Sequence, residues 1–130
     1  MTQTDTPSGF AALAGKHQYA NLFTYRKSGE AIKTPVWFAL SGNKIYVMTT
    51  MDAGKTKRIR NNGRVLLGPS DARGTPLGPT VEGQARILPP EESKAANQIL
   101  DAKYGLIKAG FDFVMNLRGT SRAWLEIVPL

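Results

Sequence analysis

A chain of 130 residues with 42% hydrophobic content is long enough to bury the core of one compact domain without covalent staples. It has no cysteine, which excludes disulfides, thiolate metal sites and thiol nucleophiles, and its formal charge of +7 asks for an anionic partner without saying which. No apolar run approaches the about 18 residues a membrane-spanning helix needs, and MTQTDTPSGF lacks the basic and apolar regions of a leader, so a soluble, cytoplasmic protein is expected.

In chain order, residues 9–20 (GFAALAGKHQYA) carry the small and apolar spacing of a short helix. Three strands are predicted near 20–26, 31–40 and 44–50, separated by the turn signals Ser28-Gly29 and Ser41-Gly42-Asn43. Asp52 is placed to cap a helix carrying AGKTKRIRNN, and Asn62-Gly63 breaks the chain before the apolar strand RVLLG. PSDARGTPLGP reads as a loop. TVEGQARIL alternates, with Val81, Gly83, Ala85 and Ile87 on one side and Glu82, Gln84 and Arg86 on the other, as a strand with one wet face does. Pro89-Pro90-Glu91-Glu92 opens a helix with Ala95, Ala96, Ile99 and Leu100 as its apolar stripe, which Gly105 ends; the two glutamates complement the helix dipole. LIKAGFDFVMNL (106–117) reads as a further helical stretch and SRAWLEIVPL as the last strand. About six mostly antiparallel strands with helices between them point to an α+β fold built on a small closed or split barrel.

The second predicted strand is apolar on both faces, through Ile32, Val36, Phe38 and Leu40 on one and Pro35, Trp37 and Ala39 on the other. Both faces need cover: one from the core, the other from a ligand, a helix or a second subunit. Pro35 removes a ladder donor and places that strand at an edge or bulge.

Gly54-Lys55-Thr56 imitates the end of a phosphate-binding P-loop, yet Thr49 stands where the first glycine belongs. What remains is a strand ending in Thr49-Thr50, a short turn, and a helix start crowded with Lys55, Lys57 and Arg58. Hydroxyls, helix N–H groups and cationic donors suit a phosphate, and cations at a helix beginning oppose the macrodipole unless an anion arrives. A solvated basic helix face is the competing reading. His17 is the single histidine, no Ser/His/Asp grouping or metal-ligand spacing is present, and Arg122 and Trp124 fall to structural pairing in the last strand. No catalytic side chain is assigned.

The segment from Thr24 to Leu88, through TPVWF, the run T-T…G-K-x-K-R-I-R-N-N-x-R-V, DARG and VEG-x-AR, resembles the pyridoxamine 5'-phosphate oxidase-like split-barrel proteins. It is most similar to their branch of deazaflavin (coenzyme F420)-dependent oxidoreductases. The resemblance is good over residues 19–88 and weaker through the last strand; Gly63 stands where the family often has proline, a change that would loosen the turn without touching the anion contacts. It implies a six-stranded antiparallel FMN-binding split barrel, a homodimer, and a flavin or deazaflavin in a groove at the subunit interface. Lys55 and Lys57 would then bind phosphate with Arg58 in support, Thr49 and Thr50 would bond the phosphate or neighbouring hydroxyls, and Thr34, Pro35, Val36 and Trp37 would flank the tricyclic ring.

The implied activity is hydride transfer from reduced F420 to an electrophilic small molecule, with Arg60, Arg64 and Arg73 available to the acidic tail of that cofactor. FMN is the alternative cofactor, since its phosphate would use the same cations. A non-catalytic flavin or tetrapyrrole-binding protein is the alternative of another class. A nucleic-acid-binding barrel would need aromatics interleaved with cations, whereas Phe23, Tyr25, Trp37, Phe38 and Tyr46 fall in strand runs away from residues 55–64.

Overall fold

Apolar residues recur at every second position through much of 19–50, a pattern that fits extended backbone with one buried face. The computed structural model, which describes Leu13, residues 17–105 and residues 121–130, forms β1 (Tyr19–Tyr25), β2 (Ala31–Trp37), β3 (Ala39–Ser41) and β4 (Lys44–Thr50) there. Helix α1 (Gly54–Asn61) follows, then β5 (Arg64–Ser70), β6 (Val81–Ile87), helix α2 (Pro90–Tyr104) and β7 (Arg122–Pro129). The helix expected over 9–20 gives way to β1 at Tyr19; apart from Leu13, His17 and Gln18, the rest of it lies outside the described residues, as does the stretch expected over 106–117.

The seven strands form one antiparallel sheet in the order β2-β1-β5-β6-β7-β4-β3. Strands β2 and β3 sit at opposite edges although only Phe38 separates them in sequence, so the sheet curls until its two edges meet at that residue. The inside of the curl is one cluster to which Leu22, Val36, Phe38, Val47, Leu67 and Leu125 contribute, with Ile59 of α1 packed into it. This is the expected α+β split-barrel architecture, with one strand more than the expected six.

The extra strand arises because the predicted strand 31–40 breaks at Phe38. Above the break the chain pairs with β1, and below it with β4. Alternation fails at the same point: Phe38 and Ala39 are both buried, Phe38 in the barrel core and Ala39 under α2 with Leu100 and Tyr104. The two-sided apolarity of 31–40 is thereby explained, since the core covers one face and α2 part of the other. Pro35 lies in edge strand β2, where its missing N–H breaks no ladder.

Two local expectations are corrected. Helix α1 has Ala53 as its N-cap residue with no side-chain cap bond, so Asp52 does not cap it. The turn is tied instead through the Thr50 carbonyl, which accepts from the Ala53 N–H at 3.2 Å and from Thr56 Oγ1 at 2.7 Å. Helix α2 buries Ala96, Leu100 and Tyr104, spaced by four, and leaves Ala95 exposed, because the row facing the sheet runs toward Tyr104.

Gly63 does not loosen its turn. A Cβ there would stand 2.6 Å from the carbonyl oxygen of Ala85, whose N–H donates to Gly63 O at 2.7 Å, so glycine lets the start of β5 press directly against β6. The DARG loop is also ordered from within: Asp71 Oδ1 accepts from the N–H groups of Arg73 and Thr75, and the carbonyl of Gly74 (φ 91) accepts from Asn21 Nδ2 at 2.8 Å and Lys33 Nζ at 3.2 Å. Those backbone N–H bonds hold the Asp71 carboxyl below its ordinary range.

Candidate functional site

Above Phe38, neither β2 on its outer side nor the upper half of β4 on its β3 side has a strand partner. These open edges approach within 8 Å between Cα atoms and define a split whose closed end is Phe38 and whose mouth is the end of β4. Thr34 lies four residues above Phe38 on one side, and Thr50 lies four residues above Tyr46, the partner of Ala39, on the other. At strand rise each is about 13 Å from the closed end. The register thus brings the two groups of expected site residues to opposite walls of one opening.

The mouth is electropositive. Helix α1 begins there with no acidic residue in its first turn, so its unpaired N–H groups and the positive end of its dipole are uncompensated. Arg58 lies back over the first turn, where a Cβ on Gly54 would come 2.9 Å from its Nη1, and its Nε donates to the buried Thr24 Oγ1 at 2.7 Å. Lys55 is half-buried; desolvation first, and the like charge of Arg58 second, hold its ammonium below the ordinary range. Lys57 is exposed. Among the described residues, carboxylates pair with Arg26, Lys44, Arg64 and Arg86, and none reaches Lys55, Lys57 or Arg58.

Thr49 and Thr50 diverge. Thr49 is 9% exposed and shares the inward face of β4 with Val47 and Ile45, while Thr50 is half-exposed on the opposite face beside Arg122, its register partner on β7. The Thr50 carbonyl already holds the turn into α1. Arg58 is committed in part to Thr24, which leaves the exposed Lys57 and the half-buried Lys55 as the cations of this corner that no described side chain engages.

The four residues of the other wall divide by strand parity. Val36 lies in the core and Thr34 faces the same way, opposite Leu22. Pro35 turns the other way, where a Cβ on Gly74 would meet its Cγ at 3.6 Å, and Trp37 stacks on Tyr104 with ring centroids 4.9 Å apart and planes at 17°. What Thr34, Pro35, Val36 and Trp37 share is the backbone edge of β2, not a common side-chain face.

Sequence reasoning passed over the closed end of the split. The Phe38 N–H donates to Tyr104 Oη at 2.8 Å, and that hydroxyl lies 2.6 Å from Gln18 O and nearly as close to Phe38 O, either of which can accept its single proton. The Phe38 carbonyl is 2.7 Å from Tyr104 Oη and accepts from Lys103 Nζ at 2.7 Å. That ammonium also sits 3.6 Å from the centroid of the Phe38 ring. Burial pushes Lys103 down to about 8 and Tyr104 far above the ordinary phenol range, although the bond to Phe38 O and the ring face favour the charged lysine. The one available signal was the helical spacing of Leu100 and Tyr104 on α2.

The three arginines expected at an acidic tail lie apart from one another. Arg64 pairs with Glu82 at 2.8 Å, Arg73 belongs to the loop packed on β1 and β2, and Arg60 is exposed in the last turn of α1. A cavity of about 500 Å³ lined by Tyr25, Asn62, Arg64, Leu66 and Glu82 contains none of the residues expected to hold the phosphate or the ring, and Arg64, expected at the acidic tail, is paired there with Glu82. Among the described residues no cluster of metal-ligating side chains occurs, and no helix is long and apolar enough to cross a membrane.

No curated protein matches the sequence. Solved structures share its fold at low identity. A conserved hypothetical protein from Mycobacterium tuberculosis is similar at 22% identity with a TM-score of 0.67, over 99% of this chain and 81% of that one. A protein described as an F420 reductase is similar at 20% identity with a TM-score of 0.60, over 96% of both chains. A FAD-binding protein from Mesorhizobium loti is similar at 16% identity with a TM-score of 0.63, over 92% of this chain and 84% of that one. The sequence profile for pyridoxamine 5'-phosphate oxidase matches residues 9–125, nearly the whole chain and every strand of the curled sheet except the end of β7. By that match, and by the split barrel it folds into, the chain belongs to the pyridoxamine 5'-phosphate oxidase family.

Proposed function

We propose that the chain is a single-domain, cytoplasmic F420-dependent oxidoreductase that holds its cofactor in the split between β2 and β4. The observation that carries this reading is the mouth of the split, where Lys55, Lys57, Arg58 and the start of α1 present positive charge that no described carboxylate offsets. The acidic tail of a deazaflavin or flavin fits that corner: Lys55 and Lys57 would take the phosphate, Arg58 would add charge behind them, and the Thr50 hydroxyl would bond a phosphate oxygen or nearby hydroxyl. Thr49, facing inward, would support the strand end from the core side.

The backbone edge formed by Thr34, Pro35, Val36 and Trp37 would flank the tricyclic ring and keep water from it. The chemistry supplied by the bound deazaflavin is hydride transfer to an electrophilic small molecule. The chain contributes placement and exclusion of water, and a second copy in a homodimer would cover the outer side of the split.

FMN would meet the same cations, and the FAD-binding fold neighbour favours keeping a flavin as the second reading. Fluorescence titration with F420 and with FMN separates them. Submicromolar binding of F420 with weaker FMN is the expected result, and tight FMN binding with none of F420 reverses the assignment. Steady-state turnover with reduced F420 and a panel of unsaturated acceptors distinguishes the enzyme from a non-catalytic carrier. Sizing chromatography should give a dimer; a fully active monomer would contradict the shared split.

A further inference from the structure

We infer that Tyr104 and Lys103, at the end of α2, are positioning residues for the ring wall of the split, fixing the Phe38 peptide so that the edge Thr34–Trp37 is held in place. The inference rests on the cofactor reading and deepens it. An ordinary edge strand gains its position from the neighbour it pairs with, but Phe38 leaves β1 and has not yet joined β4. Both of its backbone polar groups would be orphaned at a buried position, since its residue is 0% exposed.

Side chains from α2 replace the missing ladder. The Tyr104 hydroxyl accepts from the Phe38 N–H and Lys103 Nζ donates to its carbonyl, at separations in sequence of 66 and 65 residues. The same tyrosine ring stacks on Trp37, the last residue of β2, and its hydroxyl also reaches Gln18 O just ahead of β1. One side chain therefore fixes the end of β2, the start of β1 and the break between β2 and β3. Any displacement at Phe38 is passed to Trp37 and Val36 without a turn or loop to absorb it.

Hydrogen exchange on the protein without ligand tests the first link. Tyr104→Phe keeps the ring that stacks on Trp37 and removes the hydroxyl, so exchange at the Phe38 amide should rise about tenfold or more while β5 and β6 stay protected. Unchanged exchange at Phe38 overturns the inference.

Binding of FMN and of riboflavin, which has the ring without the phosphate, tests the second. Tyr104→Phe should weaken both by the same factor, about tenfold, whereas Lys55→Ala should weaken FMN and leave riboflavin as in the parent. Lys103→Met should weaken both, and Lys103→Arg, which keeps a donor, should restore them. If Tyr104→Phe is merely less stable and binds both flavins like the parent while folded, or if Lys103→Met matches Lys103→Arg, the positioning role is wrong and the anion corner is untouched. A parent that binds neither flavin nor F420 removes the cofactor reading and this inference with it.

Discussion

Arg58 donates through Nε to Thr24 Oγ1 at 2.7 Å, joining the last turn of α1 to the end of β1. Thr24 is fully buried, so the bond both anchors α1 at the mouth of the barrel and directs a guanidinium to the region where an anion is proposed to bind. Hydrogen bonds to charged groups contribute about 1.5–3 kcal/mol. Thr24→Val, which keeps shape and loses the acceptor, should therefore lower stability by about 1.5 kcal/mol in urea denaturation. A loss under about 0.3 kcal/mol would mean that Arg58 is not held by Thr24 in solution.

The sheet was legible because period-two burial and turn residues speak locally, and Pro35 announced an edge that the strand order bears out. The break at Phe38 was not, because what holds it comes from Lys103 and Tyr104, far along the chain. Asp52 has good capping chemistry but lies just before the residue that opens α1, and the carbonyl of Thr50 performs the tie instead. At the site, charge crowding after a strand was visible in the residues alone. The inward commitment of Arg58 and the opposite facing of Thr49 and Thr50 required the register.

Gly63 offers a test of how closely β5 and β6 approach. An added methyl would meet the backbone oxygen of Ala85 at 2.6 Å, which a rotating side chain cannot relieve. Overpacking of this kind costs about 1–3 kcal/mol. Gly63→Ala should lower the thermal midpoint by several degrees, about 4 °C for a loss near 1 kcal/mol in a chain of this size. A midpoint within about 1 °C of the parent would contradict the contact.

Lys103 should make stability rise with pH in a particular window. Its ammonium is held down to about 8 by burial, from an ordinary 10.5, so between those values the unfolded chain binds the proton and the folded protein largely does not. Stability then increases as pH climbs through that interval. Lys55 shifts in the same direction, so the informative quantity is the difference between parent and Lys103→Met. Urea midpoints at about pH 7.5 and about pH 9.5 should show a gain in the parent that the variant partly loses. Parallel changes in the two proteins would show that Lys103 is not desolvated.

Glu126 collects three partners on the α2 side of the sheet: Arg86 Nε at 2.9 Å, Tyr46 Oη at 3.2 Å and Lys44 Nζ at 3.7 Å. Arg86 continues to Glu92 at 2.7 Å and so ties the first turn of α2 to β6 and β7. The Glu126 side chain is only 10% exposed while Arg86 and Lys44 are about half exposed, so Glu126→Gln removes a nearly buried charge that two partly solvated cations hold in place. A loss of about 1–3 kcal/mol is expected in urea denaturation. Parental stability would show the cluster to be a solvated surface pair network.

The most direct measurement is fluorescence titration of the parent and of the Lys55→Ala/Lys57→Ala double variant with F420 and with FMN. Two charge-assisted contacts should weaken binding of the preferred ligand by at least about a hundredfold without changing the fold seen by circular dichroism. A double variant that binds both ligands as tightly as the parent would contradict the anion corner at the mouth of the split.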